Sequence, residues 1–221
     1  MIKIKNLTKV FETQGETITA LNSVDLHIRK SEFVAIMGRS GSGKSTLLNI
    51  LGCMDKLTSG QYLLADQDVS LLNDDELSHI RNKRIGFVFQ GFHLLPRLSA
   101  LENVMLPLRY TENNNNEAGR KRAEDLLIKV GLKDRINHMP NQMSGGQIQR
   151  VAIARSLINN PDILLADEPT GNLDSTISKQ IMGLLIDLNQ SGQTIVMVTH
   201  EDDIAENANR TIHFLDGEII K

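Results

Sequence analysis

Residues 38–45 have the sequence Gly-Arg-Ser-Gly-Ser-Gly-Lys-Ser, and they follow directly after the apolar run Phe33–Met37. They match the pattern G-x-x-x-x-G-K-[ST], with a predicted strand before it and helical periodicity after Lys44. Glycines in such a loop allow backbone N–H groups to point inward at phosphate oxygens, and the start of the next helix adds a favourable dipole. We therefore expect a phosphate-binding loop in which Lys44 reaches the β and γ phosphates of a nucleotide and Ser45 binds Mg²⁺.

A pair of acidic residues follows a second apolar run. Asp167 and Glu168 come directly after Ile163–Ala166. Beside a phosphate loop, Asp167 is placed to hold Mg²⁺, and Glu168 is placed where a water attacks the γ-phosphate. A single carboxylate favours nucleotide binding alone, whereas two in succession favour hydrolysis. The sequence contains no Asn-Lys-x-Asp segment of the kind that selects guanine, so adenine is the expected base, with Phe11 as its stacking partner.

Apolar runs and helical periodicities alternate along the chain. Phe33–Met37, Ile163–Ala166 and Thr194–Val198 are short continuous apolar runs, a pattern typical of parallel strands that are covered on both faces. Helical periodicity follows Lys44 and covers residues 123–130, 147–158 and 177–188. This alternation predicts an α/β fold with a parallel core sheet and helices on its faces.

Other segments give local predictions. Ile2–Leu7 and Val24–Ile28 alternate apolar and polar residues, which predicts antiparallel strands near the N-terminus. Asn73, with Glu76 three residues later, predicts the start of a helix that ends at about Arg84. Asp216-Gly217 predicts a tight hairpin, and the asparagine run 113–116 predicts a surface loop.

Composition limits the possible partners. The chain has 221 residues, with 24 basic and 27 acidic side chains and a single cysteine, Cys53. One cysteine excludes an intramolecular disulfide and a cysteine-rich zinc site, and it makes a reducing compartment the default. The small acidic excess argues against nucleic acid as a partner. No run approaches the ~20 apolar residues of a membrane helix, and Met1–Val10 does not resemble a signal peptide, so we expect the chain itself to be soluble.

A second anion-binding helix start is predicted far along the chain. In Met143-Ser144-Gly145-Gly146-Gln147, Ser144 is a good N-cap and the glycines leave the first helical amides open to an anion. One triphosphate in the loop at 38–45 does not need this second site. The economical explanation is a two-fold dimer with two nucleotides, each held between the phosphate loop of one copy and the Ser-Gly-Gly-Gln segment of the other.

Together these motifs resemble those of the nucleotide-binding subunit of ABC (ATP-binding cassette) transporters. The matching segments are residues 38–45, Gln90, residues 143–147, Asp167-Glu168, Asn172-Leu173-Asp174, and His200 after Val198-Thr199. The resemblance covers essentially the whole chain. It implies a P-loop NTPase fold of the ABC type, with a parallel core sheet, an N-terminal antiparallel β subdomain and a helical arm. The expected boundaries are about 1–90 and 160–221 for the core with its β part, and about 91–159 for the helical subdomain.

The resemblance also implies roles for single residues. Gln90 is similar to a glutamine that touches Mg²⁺ and the attacking water, Asp174 to an aspartate at the dimer seam, and His200 to a histidine that bonds the γ-phosphate. The expected catalytic residues are Lys44, Gln90, Glu168 and His200. The residues expected to contact ATP are Phe11, Gly38, Arg39, Ser40, Gly41, Ser42, Gly43, Lys44, Ser45, Thr46, Gln90, Ser144, Gly145, Gly146, Gln147 and Asp174. The expected Mg²⁺ ligands are Ser45, Gln90 and Asp167.

Finer features resemble the group that contains the macrolide exporter MacB, the lipoprotein-releasing LolD and the division protein FtsE. The segments that carry this resemblance are residues 52–56, 100–108 and 166–175. They imply an ATPase that drives a separate integral membrane permease subunit, with or without a periplasmic adaptor, from the cytoplasmic face of the inner membrane. The alternative is an FtsE-like regulatory ATPase that controls a cell-wall process through its membrane partner. A soluble ABC ATPase that acts on nucleic acid or ribosomes is the third reading, and the net charge argues against it.

An apolar cluster follows Gln90. It consists of Phe92, Leu94, Leu95, Pro96 and Leu98. We interpret it as a patch that grips a short coupling helix of the membrane partner. The alternative is that these side chains form the core of the helical arm.

Overall fold

A computed structural model describes residues 1–13, 15–111 and 116–220. Within them the strands are β1 (Ile2–Thr13), β2 (Glu16–Ile28), β3 (Phe33–Gly38), β4 (Ser59–Leu64), β5 (Gln67–Asp68), β6 (Ile85–Phe89), β7 (Ile163–Asp167), β8 (Thr194–Val198), β9 (Arg210–Leu215) and β10 (Glu218–Ile220). The α-helices are α1 (Lys44–Leu51), α2 (Asp74–Arg84), α3 (Ala100–Met105), α4 (Asn116–Lys129), α5 (Gly145–Leu157), α6 (Ser175–Gln190) and α7 (Asp202–Ala205). Short 3-10 helices cover Leu106–Tyr110, Lys133–Arg135 and Pro140–Gln142.

The strands form two sheets. One is antiparallel, in the order β2-β1-β4-β5, and the other has the order β10-β9-β3-β8-β7-β6. In the second sheet β9, β3, β8, β7 and β6 pair in parallel, and β10 joins antiparallel at the edge. The predicted α/β fold, with a parallel core sheet and an antiparallel β part at the N-terminus, is confirmed.

The continuous apolar runs became the central strands. Every residue of Phe33–Met37, Ile163–Ala166 and Thr194–Val198 is buried. The two N-terminal strands are longer than predicted, because β1 continues to Thr13 and β2 already begins at Glu16. The first half of β2 is mostly exposed on both faces and therefore lacks alternation. Pairing with β1, and not its own burial pattern, makes it a strand.

Two local predictions are confirmed. Asn73 and Glu76 form a reciprocal capping box at the start of α2, which ends at Arg84. Asp216 and Gly217 join β9 to β10, and both have the positive φ that a type I′ hairpin turn requires. The loop predicted at 113–116 lies outside the described residues, except that Asn116 is the first residue of α4.

Three hydrophobic clusters hold the elements together. The first lies between the antiparallel sheet and one face of the parallel sheet and includes α1. The second covers the other face with α6 and part of α5, and the third joins α3, α4 and the rest of α5. Helix α5 contributes Ile153 to the second cluster and Val151 to the third. It therefore packs the helical arm onto the core sheet.

None of the helices in the described part of the chain is long and apolar enough to cross a membrane.

Candidate nucleotide-binding site

A cavity of about 790 Å³ opens where β3 and β8 end and α1 begins. Its lining residues are Ile18, Thr19, Ala20, Gly38, Arg39, Ser40, Gly41, Gly43, Lys44, Ser45, Thr46, Glu168, Val198, His200, Asp216 and Gly217. The structure thus brings most of the predicted phosphate loop together with Glu168 and His200, from three distant parts of the sequence. Ser42, the remaining loop residue, is buried and does not line the cavity.

The phosphate loop needs glycine at position 43. Gly43 is the N-cap of α1 and has φ of +104°, in the left-handed region that favours glycine. A Cβ there would also lie 2.5 Å from the backbone oxygen of Ala20. Glycine therefore lets the loop lie against β2 and leaves the first amides of α1 facing the cavity, where they attract an anion.

The ammonium group of Lys44 is turned onto the loop itself. Its Nζ donates to the carbonyl oxygens of Gly38 at 2.7 Å and Arg39 at 2.8 Å. The side chain is buried although it carries a charge. These two neutral carbonyl oxygens satisfy the hydrogen-bonding needs of the ammonium group within the loop. Phosphate oxygens at the same place would be stronger partners, because they are charged.

Glu168 lies in a sharp turn after β7. Its φ is +44°, and its N–H donates to the carbonyl oxygen of Val198 at 2.9 Å. Nδ1 of His200 lies 2.8 Å from Oε1 of Glu168. The side chain of Glu168 is largely shielded, at 25% exposure, whereas that of His200 is 61% exposed.

Asp167 is the last residue of β7, one residue before this turn. Burial raises the pKa of its carboxyl group, the adjacent Glu168 carboxylate raises it further, and Lys44 lowers it. Asp167 is not among the residues that line the cavity. No group of three or more His, Cys, Asp or Glu side chains in the described residues could hold a metal ion.

Gln90 approaches Glu168 across Gly171. A Cβ at Gly171 would lie 2.7 Å from Nε2 of Gln90 and 3.4 Å from Oε2 of Glu168. Asn172 then donates from Nδ2 to the carbonyl oxygen of Gln90 at 3.0 Å. The turn after Glu168 and the segment after β6 are thus fixed against each other.

Phe11 lies on the strand beside the cavity, but does not line it. It pairs with Ile18 across β1 and β2, and Ile18 does line the cavity. The ring is 39% exposed, and Nζ of Lys9 lies 4.7 Å from its centroid. Stacking of Phe11 on adenine stays a prediction.

The second predicted helix start does not line this cavity. Ser144 is the N-cap of α5 and forms a capping box with Gln147, as its sequence pattern predicts. A Cβ at Gly146 would lie 2.5 Å from Cγ2 of Ile177, so the glycine lets α5 pack closely on α6. Asp174 is the N-cap of α6 and accepts from the N–H groups of Thr176 and Ile177. Residues 144–147 and Asp174 are absent from the lining of the cavity in the same chain.

Sequence reasoning missed part of the cavity wall. Ile18, Thr19 and Ala20 line it from β2, and the hairpin residues Asp216 and Gly217 line it beside this strand. Asp216-Gly217 was predicted only as a turn. No signal in the sequence assigns β2 to the site, because its approach depends on how the two sheets pack.

The family model for ABC transporters matches residues 21–171. The chain belongs to the ABC transporter family. The ABC transporter ATP-binding protein YvrO of Bacillus subtilis is 50% identical over 220 residues, which cover 100% of this chain and 96% of YvrO. The macrolide export ATP-binding/permease protein MacB of Bartonella henselae is 49% identical over 220 residues, but the match spans only 33% of MacB.

Solved structures agree with this assignment. The ATP-binding cassette MJ0796, in a dimeric post-hydrolysis state bound to ADP and Pi, is 51% identical with a TM-score of 0.90, over 100% of this chain and 97% of that chain. Another dimeric structure of MJ0796 has 52% identity and the same TM-score, 0.90. The fold is that of an ABC ATPase cassette. This ABC protein is therefore an ATP-binding subunit and an ATPase.

Proposed function

We propose that this ABC ATPase works as a head-to-tail homodimer around two Mg-ATP and drives a separate membrane subunit of an export-type transporter. One observation supports the dimer. The start of α5, which is suited to bind an anion, does not line the nucleotide cavity of its own chain. An N-capped helix with two glycines in its first turn is suited to a phosphate, and a second copy would supply it. The solved MJ0796 cassettes are dimeric, which supports a dimer of this chain as well.

Lys44 and the loop would bind the triphosphate. When a nucleotide enters, the ammonium group exchanges the carbonyl oxygens of Gly38 and Arg39 for phosphate oxygens. This replaces neutral hydrogen bonds with charge-assisted ones. The backbone amides of residues 38–45 bind the remaining phosphate oxygens.

The residues fit a magnesium site that the nucleotide completes. Ser45 offers a hydroxyl, Gln90 an amide oxygen and Asp167 a carboxylate, and Mg²⁺ is usually bound by one or two carboxylates together with phosphates and waters. When bound, Mg²⁺ would neutralise charge on the β and γ phosphates.

Glu168 would act as the general base. Oε1 of Glu168 contacts His200, and Oε2 lies beside Gly171. One carboxylate oxygen is thus used for orientation, and the other is available to take a proton from the attacking water. His200, exposed on the cavity side, would hold the γ-phosphate, and Gln90 would position the water.

A groove between the core and the helical arm would receive the membrane subunit. It has a volume of about 720 Å³ and is bordered by α2, β6, the 3-10 helix Leu106–Tyr110 and the end of α5. Phe87 and Phe89 stack at 4.6 Å in its wall, and Tyr110 is 76% exposed at its rim. This surface differs from the predicted patch at 92–98, in which Leu94 packs into the arm core and Leu95 remains exposed.

The groove is connected to the catalytic residues. Arg155 of α5 lines it and donates to the carbonyl oxygens of His93 at 2.5 Å and Phe92 at 2.9 Å. These residues follow Gln90 closely in the chain. A helix seated in the groove would therefore press on the segment that carries Gln90 and on α5 at the same time.

The relatives support a separate membrane subunit. YvrO and MJ0796 are matched over 96% and 95% of their lengths, so cassettes of this size occur without a fused permease. The MacB proteins carry an ATP-binding and a permease function under one name. We place the chain at the cytoplasmic face of the inner membrane, held there by its partner.

The test is affinity purification of the protein from native membranes, with Tyr110→Asp as the variant. Leu71→Asp is the control, because Leu71 is also exposed but does not line the groove. An integral membrane protein should co-purify with the wild type and the control and be lost with Tyr110→Asp. Absence of any integral membrane protein would contradict the proposal, and capture of a peptidoglycan hydrolase would favour the FtsE-like alternative.

A further inference from the structure

Gln149 connects helix α5 to the turn that contains Glu168. It lies in α5 and is fully buried, at 0% exposure. Its Nε2 donates to the carbonyl oxygen of Pro169 at 2.6 Å. Pro169 directly follows Glu168, so a side chain of α5 holds the turn that carries the catalytic carboxylate.

Packing alone does not account for a glutamine at this position. Its Oε1 is buried and has no hydrogen-bond partner among the described residues. A buried polar atom that lacks a hydrogen-bond partner destabilises the folded state. The other buried side chains of α5 belong to Val151, Ala152, Ile153, Ala154 and Leu157, all apolar. The one bond that Gln149 does make is directed at the turn.

The turn needs such a contact. Glu168 has φ of +44° although it is not glycine, and such a conformation persists only where its surroundings fix it. Two hydrogen bonds hold Glu168 from the sheet and from the turn itself. The N–H of Glu168 donates to the carbonyl oxygen of Val198, and the N–H of Gly171 donates to the carbonyl oxygen of Glu168 at 3.1 Å. Gln149 adds a contact from the helix whose start would face the second nucleotide.

We propose that Gln149 is a positioning residue that couples the start of α5 to Glu168. When the triphosphate on the partner copy docks at residues 144–147, the position of α5 is transmitted through Gln149 to Pro169 and the adjacent carboxylate. The inference rests on the proposed function, in which Glu168 is the general base and α5 faces the second nucleotide.

Gln149→Leu removes the donor and keeps an apolar side chain of similar size. The expected result is a kcat lower by about tenfold to a hundredfold, the scale of a misplaced catalytic group, with little change in the KM for ATP. Gln180→Leu is the control. Gln180 lies in α6 and accepts a hydrogen bond from Arg150 of α5 at 2.8 Å, but its side chain is on the surface. This variant should leave kcat near the wild-type value.

Gln149→Glu supplies a second, pH-dependent readout. Burial raises the pKa of a carboxyl group. The protonated form can donate its O–H to Pro169, whereas the ionised form cannot. The ratio of the kcat of Gln149→Glu to that of the wild type should therefore rise as pH falls. The same ratio for Gln149→Leu should not change with pH. This comparison also covers the case in which Gln149→Leu fails to fold.

Two results would overturn the proposal: a wild-type kcat in folded Gln149→Leu, or a flat pH ratio in Gln149→Glu. A failure of the proposed function looks different. In that case Glu168→Gln alone would keep its turnover, whatever Gln149 does.

Discussion

Nδ1 of His200 and Oε1 of Glu168 lie 2.8 Å apart at the wall of the cavity that residues 38–41 and 43–46 line. The pair joins the end of β8 to the end of β7, so the two neighbouring parallel strands bring a carboxylate and an imidazole to one point. The contact orients one carboxylate oxygen, and the other lies beside Gly171. Hydrolysis by this ABC ATPase should therefore depend on both residues, but to different degrees.

Replacing Glu168 by Gln should remove the proton acceptor while keeping the size and the hydrogen-bonding oxygen of the side chain. Turnover should fall by at least about a hundredfold, with ATP affinity nearly unchanged. Phosphate release under saturating Mg-ATP and equilibrium binding of a fluorescent ATP analogue measure the two quantities. Near-normal phosphate release would exclude Glu168 as the base.

Replacing His200 by Ala should release Oε1 of Glu168 and remove the group proposed to hold the γ-phosphate. We expect kcat to fall by about tenfold to a hundredfold, less than for Glu168→Gln because the base itself remains. His213→Ala is a matched control, since His213 is also exposed and lies in β9, outside the lining of the cavity. Equal activities of the two variants would show that the His200–Glu168 contact has no catalytic role.

Lys44→Ala should act on binding. The variant loses charge-assisted hydrogen bonds worth about 1.5–3 kcal/mol each, so the Kd for ATP should rise by about tenfold or more. Lys30→Ala removes an exposed lysine outside the cavity and should bind normally. Isothermal titration with ATP measures both, and an unchanged Kd for Lys44→Ala would contradict the assigned contact.

Cys53 gives a prediction about alkaline stability. Burial raises the pKa of its thiol from 9.0 to about 11, although Arg81 lowers it somewhat. Between these values the folded chain holds a proton that the unfolded chain releases, so the free energy of unfolding falls as pH rises. The shift corresponds to about 2–3 kcal/mol once pH exceeds 11. Tyr62 acts in the same direction, because burial raises its pKa as well.

Urea unfolding from pH 8 to pH 11 tests this prediction. The free energy of unfolding of Cys53→Ala should fall less steeply with rising pH than that of the wild type. The slope that remains includes the contribution of Tyr62. Identical slopes would mean that the folded state does not protect the thiol. Iodoacetamide should also label native Cys53 slowly at pH 8 and label it rapidly after unfolding.

The sequence was sufficient where the determining interactions are local. The phosphate loop, the N-caps Asn73 and Ser144, and the Asp216-Gly217 turn each depend on a few consecutive residues. The central strands were also predictable, because strands buried on both faces require continuous apolar runs.

Long-range contacts were not predictable in the same way. The approach of Ala20 to Gly43 depends on how the antiparallel sheet packs against the core. The bond from Gln149 to Pro169 depends on how α5 lies on the sheet. A signal for Gln149 was present, since it is spaced three and four residues from Ala152 and Ile153 on the buried side of α5. A polar residue on that side needs a partner, but the sequence does not say which.

We expect each nucleotide to be held between two copies of the chain. The most direct test is the mass of Glu168→Gln in solution at micromolar concentration, measured by light scattering with and without Mg-ATP. We predict a dimer with Mg-ATP and a monomer without it, and a monomer in both conditions when Lys44→Ala is added. A Glu168→Gln protein that binds Mg-ATP and remains monomeric would contradict the account.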